Sequence, residues 1–132
     1  MNFDILIVDD RDIDLMLLSR IVKKVFKDYQ PWEYMSGIDA LKEIHESTQL
    51  KDTILVLLDI NMPSFSGWDF LEMLNENLPA RTVHVCIVTS SVNISDKKLA
   101  EKYPQVFNFL EKPVTLQDME QLVSNESIFR KS

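Results

Sequence analysis

The chain has 132 residues, enough for one domain with a buried core and no need of covalent staples. Its 14 basic and 21 acidic residues leave a formal charge of −7, which argues against the diffuse cationic surface that grips nucleic-acid backbones. Apolar residues make up 45% and charged residues 27%, the balance of a globular protein, and the longest strongly apolar run, Ile54–Leu58, is far too short to span a bilayer.

In chain order, Ile5–Val8 has strand character and ends at the acidic pair Asp9-Asp10. Asp4, Asp9 and Asp10 interrupt the apolar N-terminus, so no secretory signal is expected, and a single cysteine, Cys86, has no internal disulfide partner. Both point to a reducing, cytoplasmic setting. Ile13, Leu17, Ile21 and Val25 recur every fourth residue, with Met16, Leu18, Val22 and Phe26 beside them, giving a wide apolar helical face. Lys23, Lys24 and Lys27 read as the solvated side of that helix. A weak strand around Trp32–Met35 precedes a second helix that Gly37 opens and that carries Leu41 and Ile44. Ser47–Thr53 is expected to be a longer loop.

The run Ile54–Leu58 stops at Asp59, followed by Asn61, Met62 and Pro63, with Gly67 at the turn into a third helix through Phe70, Leu71, Leu74 and Leu78. Val83–Val88 ends at Thr89 and Ser90, and a weaker helix with Leu99, Ala100 and Tyr103 is expected to stop at Pro104. Val106–Leu110 leads to Glu111, Lys112 and Pro113, and the last helix carries Leu116, Met119, Leu122 and Val123. The polar tail from about Ser124 is expected to fray, leaving a core over about residues 3–124. Five strand–helix alternations with continuous apolar runs predict a doubly wound α/β fold, a parallel sheet covered on both faces.

In open α/β sheets, ligands bind beyond the carboxyl ends of the strands. Those ends carry Asp9 and Asp10, then Asp59, then Thr89 and Ser90, then Glu111 and Lys112. Three neighbouring carboxylates raise one another's pKa unless a cation compensates. A hard divalent ion such as Mg²⁺, with Lys112 opposite, would supply that charge, leaving Thr89 and Lys112 to face an anion. The chain has only Gly37 and Gly67, so a phosphate-binding P-loop cannot be built. His45 and His84 lack metal-ligand spacing, and Cys86 reads as a small buried hydrophobe.

Asp9-Asp10, "DINMPSFSG" from Asp59 to Gly67, "VTS" at Val88–Ser90 and "FLEKP" at Phe109–Pro113 occur in this order. Together they resemble the receiver domain of two-component response regulators over essentially the whole chain, residues 1–132 as a single domain. The resemblance implies a flavodoxin-like sheet with strand order 2-1-3-4-5. It implies Asp59 as phosphoacceptor and Mg²⁺ held by Asp9, Asp10, Asp59 and the Asn61 backbone carbonyl. Thr89 and Lys112 would bind the phosphoryl group, and the Lys112–Pro113 peptide would be cis. Thr89 and Phe109 would act as switch residues, although Phe109 reads equally well as plain core. Asn61 and Ser91, each two residues beyond a site residue, are placed near the attacking water as lifetime-tuning residues.

The implied partner upstream is a sensor histidine kinase or a histidine phosphotransfer protein. Downstream the implied partner is a protein reached through the fourth helix, fifth strand and fifth helix, with no direct DNA or membrane contact; a homodimer is compatible. The domain would not be a conventional enzyme, since it catalyses only its own phosphorylation and dephosphorylation. Two alternatives stand beside it: a phosphorylation-independent pseudo-receiver and a phosphorelay intermediate. A phosphohydrolase with an Asp nucleophile is disfavoured, because Asn61 stands where a second Asp would act as acid and base. Ser90 stands where the family often has alanine.

Overall fold

The computed structural model describes residues 1–129. Five strands, β1 (Asp4–Val8), β2 (Trp32–Tyr34), β3 (Thr53–Asp59), β4 (Thr82–Thr89) and β5 (Val106–Glu111), form one parallel sheet in the order β2-β1-β3-β4-β5. Helices α1 (Asp12–Val25), α2 (Gly37–Glu46), α3 (Gly67–Glu76), α4 (Ile94–Ala100) and α5 (Leu116–Asn125) connect and follow them. The order reverses at β1, which puts a crevice at the carboxyl ends of β1 and β3.

The strands are apolar on both faces, and the two-residue period sorts them. Leu6, Val8, Ile54, Val56, Leu58, Val83, Val85 and Ile87 pack under α2 and α3 with Ala40, Ile44, Phe70 and Leu74. Ile5, Ile7, Leu55, Leu57, Cys86 and Val88 face the other way, with Leu18, Val22, Met119 and Leu122 of α1 and α5. Helix starts follow local chemistry. Ser36 and Asn93 cap α2 and α4 by accepting from the N–H groups of Asp39 and Asp96. Ser66 with Asp69, and Thr115 with Asp118, form reciprocal capping boxes.

Four details refine the sequence expectation, and three of them depart from it. Helix α4 ends at Ala100, four residues short of Pro104: the N–H groups of Glu101, Lys102 and Tyr103 bond three residues back, to Lys98, Leu99 and Ala100, and the Tyr103 side chain enters the core from this turn. The second strand keeps three residues, Trp32–Tyr34, pairing with β1 on one side only. The Ser47–Thr53 stretch is a loop up to Asp52, and the Arg81 guanidinium donates to the carbonyls of Ile44, Ser47, Leu50 and Lys51 around it. After Ser124 the chain continues through Asn125 and a 3₁₀ turn, Ser127–Phe129, whose Ile128 and Phe129 pack on the α1/α5 side of the sheet. Residues 130–132 of the expected frayed tail lie outside the described residues. No helix among the described residues is long and apolar enough to cross a membrane.

Candidate functional site

Asp9 follows β1, Asp59 ends β3, Thr89 ends β4 and Lys112 follows β5. The parallel register brings these ends level: Val8 lies beside Leu58, Asp59 beside Val88, and Thr89 beside Glu111. One further bond locks the last pair, because the Lys112 N–H donates to the Thr89 carbonyl at 2.8 Å. The Lys112–Pro113 peptide is cis.

One carboxylate oxygen from each of Asp9, Asp10 and Asp59 lies within 4.8 Å of the other two. Asp9 is fully buried and Asp59 is 3% exposed, while Asp10 is half-buried toward the rim. The Lys112 Nζ stands 2.9 Å from Asp9 Oδ2, 3.1 Å from Asp14 Oδ2 and 3.6 Å from Asp59 Oδ2. Burial pushes the Asp9 carboxyl above its ordinary value of 3.8, and the Asp59 charge adds to this; the Lys112 hydrogen bond and the Arg11 N–H offset it only in part. For Lys112, burial alone would favour the neutral amine. Its hydrogen bonds to Asp9 and Asp14 and the charges of Asp9 and Asp59 outweigh burial, so its pKa is raised above 10.5.

The donor set, three convergent carboxylates, fits a hard oxygen-seeking cation such as Mg²⁺.

Asn61 ties the site together. Its N–H donates to Asp59 Oδ1 at 3.0 Å, and its Nδ2 donates to Thr89 Oγ1 at 3.2 Å. The Thr89 hydroxyl donates to the Ser91 carbonyl at 3.3 Å, and the Thr89 side chain is almost wholly buried. Phe109 is half-buried on the α2/α3 side of the sheet, beside Val106 and the core. Gly67 is a close-approach glycine with no positive φ: a Cβ there would lie 2.7 Å from Ile60 Cα and 2.8 Å from the Asp59 carbonyl oxygen.

All the sequence-derived site residues meet at this rim except Ser91, which is exposed and reaches it through the Thr89 hydroxyl, and Phe109, which lies one layer below. Asp14 escaped the sequence reading. It lies in the first turn of α1, where its carboxylate reaches Lys112. His45 links α2 to the end of α3, its ring nitrogens 2.8 Å from the Leu41 carbonyl one turn back and 2.6 Å from the Asn77 carbonyl. Cys86 is fully buried, and burial pushes its thiol far up.

The sequence pattern of the response regulator receiver domain matches residues 5–124. Response regulator Rcp1 from Synechocystis is 25% identical over 128 residues, covering 95% of this chain and 86% of that protein. The 3',5'-cyclic-nucleotide phosphodiesterase regA from Dictyostelium discoideum is 30% identical over 112 residues; the match spans 83% of this chain but only 13% of that protein. A two-component response regulator from Legionella pneumophila superposes with a TM-score of 0.77 at 26% identity, covering 91% of this chain and 94% of that one. One from Cytophaga hutchinsonii gives 0.76 at 25% identity, covering 94% and 96%. A family match over nearly all of the sequence, on a chain whose structure superposes on solved response regulators, leads to one assignment: this chain belongs to the response regulator receiver domain family.

Proposed function

We propose that this domain is a phosphoacceptor switch in which Asp59 takes a phosphoryl group from a phosphohistidine of a sensor histidine kinase or histidine phosphotransfer protein, or from a small phosphodonor. The observation that carries the reading is the convergence of Asp9, Asp10 and Asp59 with an ammonium 3.6 Å from Asp59. Mg²⁺ would be held by Asp9, Asp10, Asp59 and the Asn61 carbonyl, and would supply charge neutralisation of the phosphoryl oxygens.

The chain's own residues do the rest. An Asp59 carboxylate oxygen attacks phosphorus, and the phosphorus–nitrogen bond of the donor breaks. Its electron pair stays on the imidazole, which takes up a proton, and the product is an aspartyl phosphate. Lys112 balances the equatorial charge and the Thr89 hydroxyl orients it. Reset needs water to attack phosphorus; the bond to Asp59 breaks, the carboxylate returns and phosphate leaves. Asn61 and Ser91 flank that approach and set its rate.

Readout begins at Thr89. Its hydroxyl must leave the Ser91 carbonyl to donate to the phosphoryl group, which draws the segment after β4 inward. Phe109 can then fill the vacated space, and the face made by α4, β5 and α5 changes shape for a protein partner. Converting a 1:99 population to 99:1 takes about 5.5 kcal/mol of differential interaction, within reach of several charge-assisted hydrogen bonds. The reading fits a cytoplasmic setting.

The test is intact mass after incubation with acetyl phosphate and Mg²⁺. Wild type is expected to gain one phosphoryl group and Asp59→Asn none. No gain in wild type would leave a phosphorylation-independent binding module. Decay of the same mass increment reports lifetime: exchanging Asn61 and Ser91 together for alanine is expected to change it several-fold, and an unchanged rate would remove both from that role.

A further inference from the structure

Lys112 does not belong to Asp59 alone. Of its three carboxylate contacts, the one to Asp59 is the longest at 3.6 Å, and the one to Asp14 is a hydrogen bond of 3.1 Å. The side chains of Lys112 and Asp14 are 18% and 20% exposed, so this pair is partly shielded from water. The same Asp14 oxygen lies 3.6 Å from Arg11 Nε, a side chain 70% exposed. A cleft of about 550 Å³, lined in part by Arg11, Asp14, Ser90 and Lys112, opens beside this chain of charges.

We infer that Asp14 is a positioning residue that holds the Lys112 ammonium back from Asp59 and thereby lowers phosphoryl occupancy. The inference rests on the phosphoacceptor reading and concerns how that site is set. A phosphoryl group on Asp59 draws Lys112 toward it, in competition with its hydrogen bonds to Asp9 at 2.9 Å and Asp14 at 3.1 Å. Asp14 also adds negative charge beside Lys112, the ammonium that would balance an anionic donor at Asp59. Both effects oppose the phosphorylated state.

Asp14→Asn keeps the shape and removes the charge; Asp14→Glu keeps the charge. With acetyl phosphate as donor, the asparagine variant is expected to reach half-maximal phosphorylation at about two- to fivefold lower concentration, the scale of one partly screened charge. Its phosphoryl group is expected to decay more slowly, and the glutamate variant to return both quantities toward wild type. Without donor or Mg²⁺, the ¹⁵N resonance of the Lys112 ammonium is expected to move in Asp14→Asn. An acid that serves only the first turn of α1 would change the melting temperature and leave donor dependence and decay untouched; that result overturns the inference. If Asp14→Asn does not fold, Asp14→Ser removes the same charge and is read the same way. Wild type that takes no phosphoryl group sinks the phosphoacceptor reading and this inference with it, whereas phosphorylated wild type matched by an unchanged Asp14→Asn sinks this inference alone.

Discussion

His84 shows how one residue links sheet packing to pH. It lies on β4 beside Leu55 of β3, its ring edge-on to Phe107 with centroids 6.4 Å apart. Burial lowers its pKa from 6.5, since the folded environment disfavours the charged ring. The unfolded chain therefore binds this proton more readily than the folded one. The stability involved is fully present above about pH 6.5 and is lost as the pH falls through the lowered folded value. Melting temperatures measured between pH 7 and pH 5 are expected to fall less in His84→Gln than in wild type; parallel profiles would contradict this. Asp9 acts with the opposite sign, because its raised pKa makes the folded state the better proton acceptor at acid pH. Comparing variant with wild type separates the two.

Among the elements, the junction of β3 and α3 is the most constrained. Asp59 ends the strand, Ser66 caps the helix, and Gly67 N–H closes the turn on the Ile60 carbonyl at 3.3 Å. A methyl group at Gly67 would meet backbone on both Asp59 and Ile60, so the loop carrying the acceptor would have to shift. Gly67→Ala is expected to lose about 1–3 kcal/mol in urea unfolding, the usual scale of overpacking, despite alanine's better helix propensity. An unchanged or higher midpoint would show that the loop relaxes freely. The glycine was legible as a turn residue at the entry to the third helix. Its reason, close approach and no unusual φ, required the three-dimensional path of the loop. Elements with long two-sided apolar runs, such as Ile54–Leu58, were legible for the same physical cause: a parallel strand buried on both faces needs no polar side. Helix α4 was blurred because only Ala100 of it is buried, and β2 because three residues carry too little pattern.

Over the whole molecule, the strand-end rule brought Asp9, Asp10, Asp59, Thr89 and Lys112 into one site from sequence alone, because parallel pairing leaves little freedom in where strand ends fall. What stayed hidden depends on contacts between distant segments. Asp14 meets Lys112 across 98 positions. Phe129 meets Phe3, Phe26 and Phe107, with ring centroids 5.6, 6.0 and 6.5 Å away, so residues read as a polar tail close the α1/α5 side of the core. Those aromatics are scattered along the chain with no period to group them. The candidate site sits at the opposite end of the strands from that closure.

The proposed switch requires Asp59 to be the residue that carries the phosphoryl group. Borohydride reduction of the phosphorylated protein, followed by peptide mapping, reads that position directly, because hydride converts an aspartyl phosphate to homoserine and leaves free carboxylates intact. The expected result is homoserine at position 59 alone, dependent on both donor and Mg²⁺. Homoserine at Asp9, Asp10 or Asp14, or at no aspartate of a protein that has gained a phosphoryl mass, would contradict it.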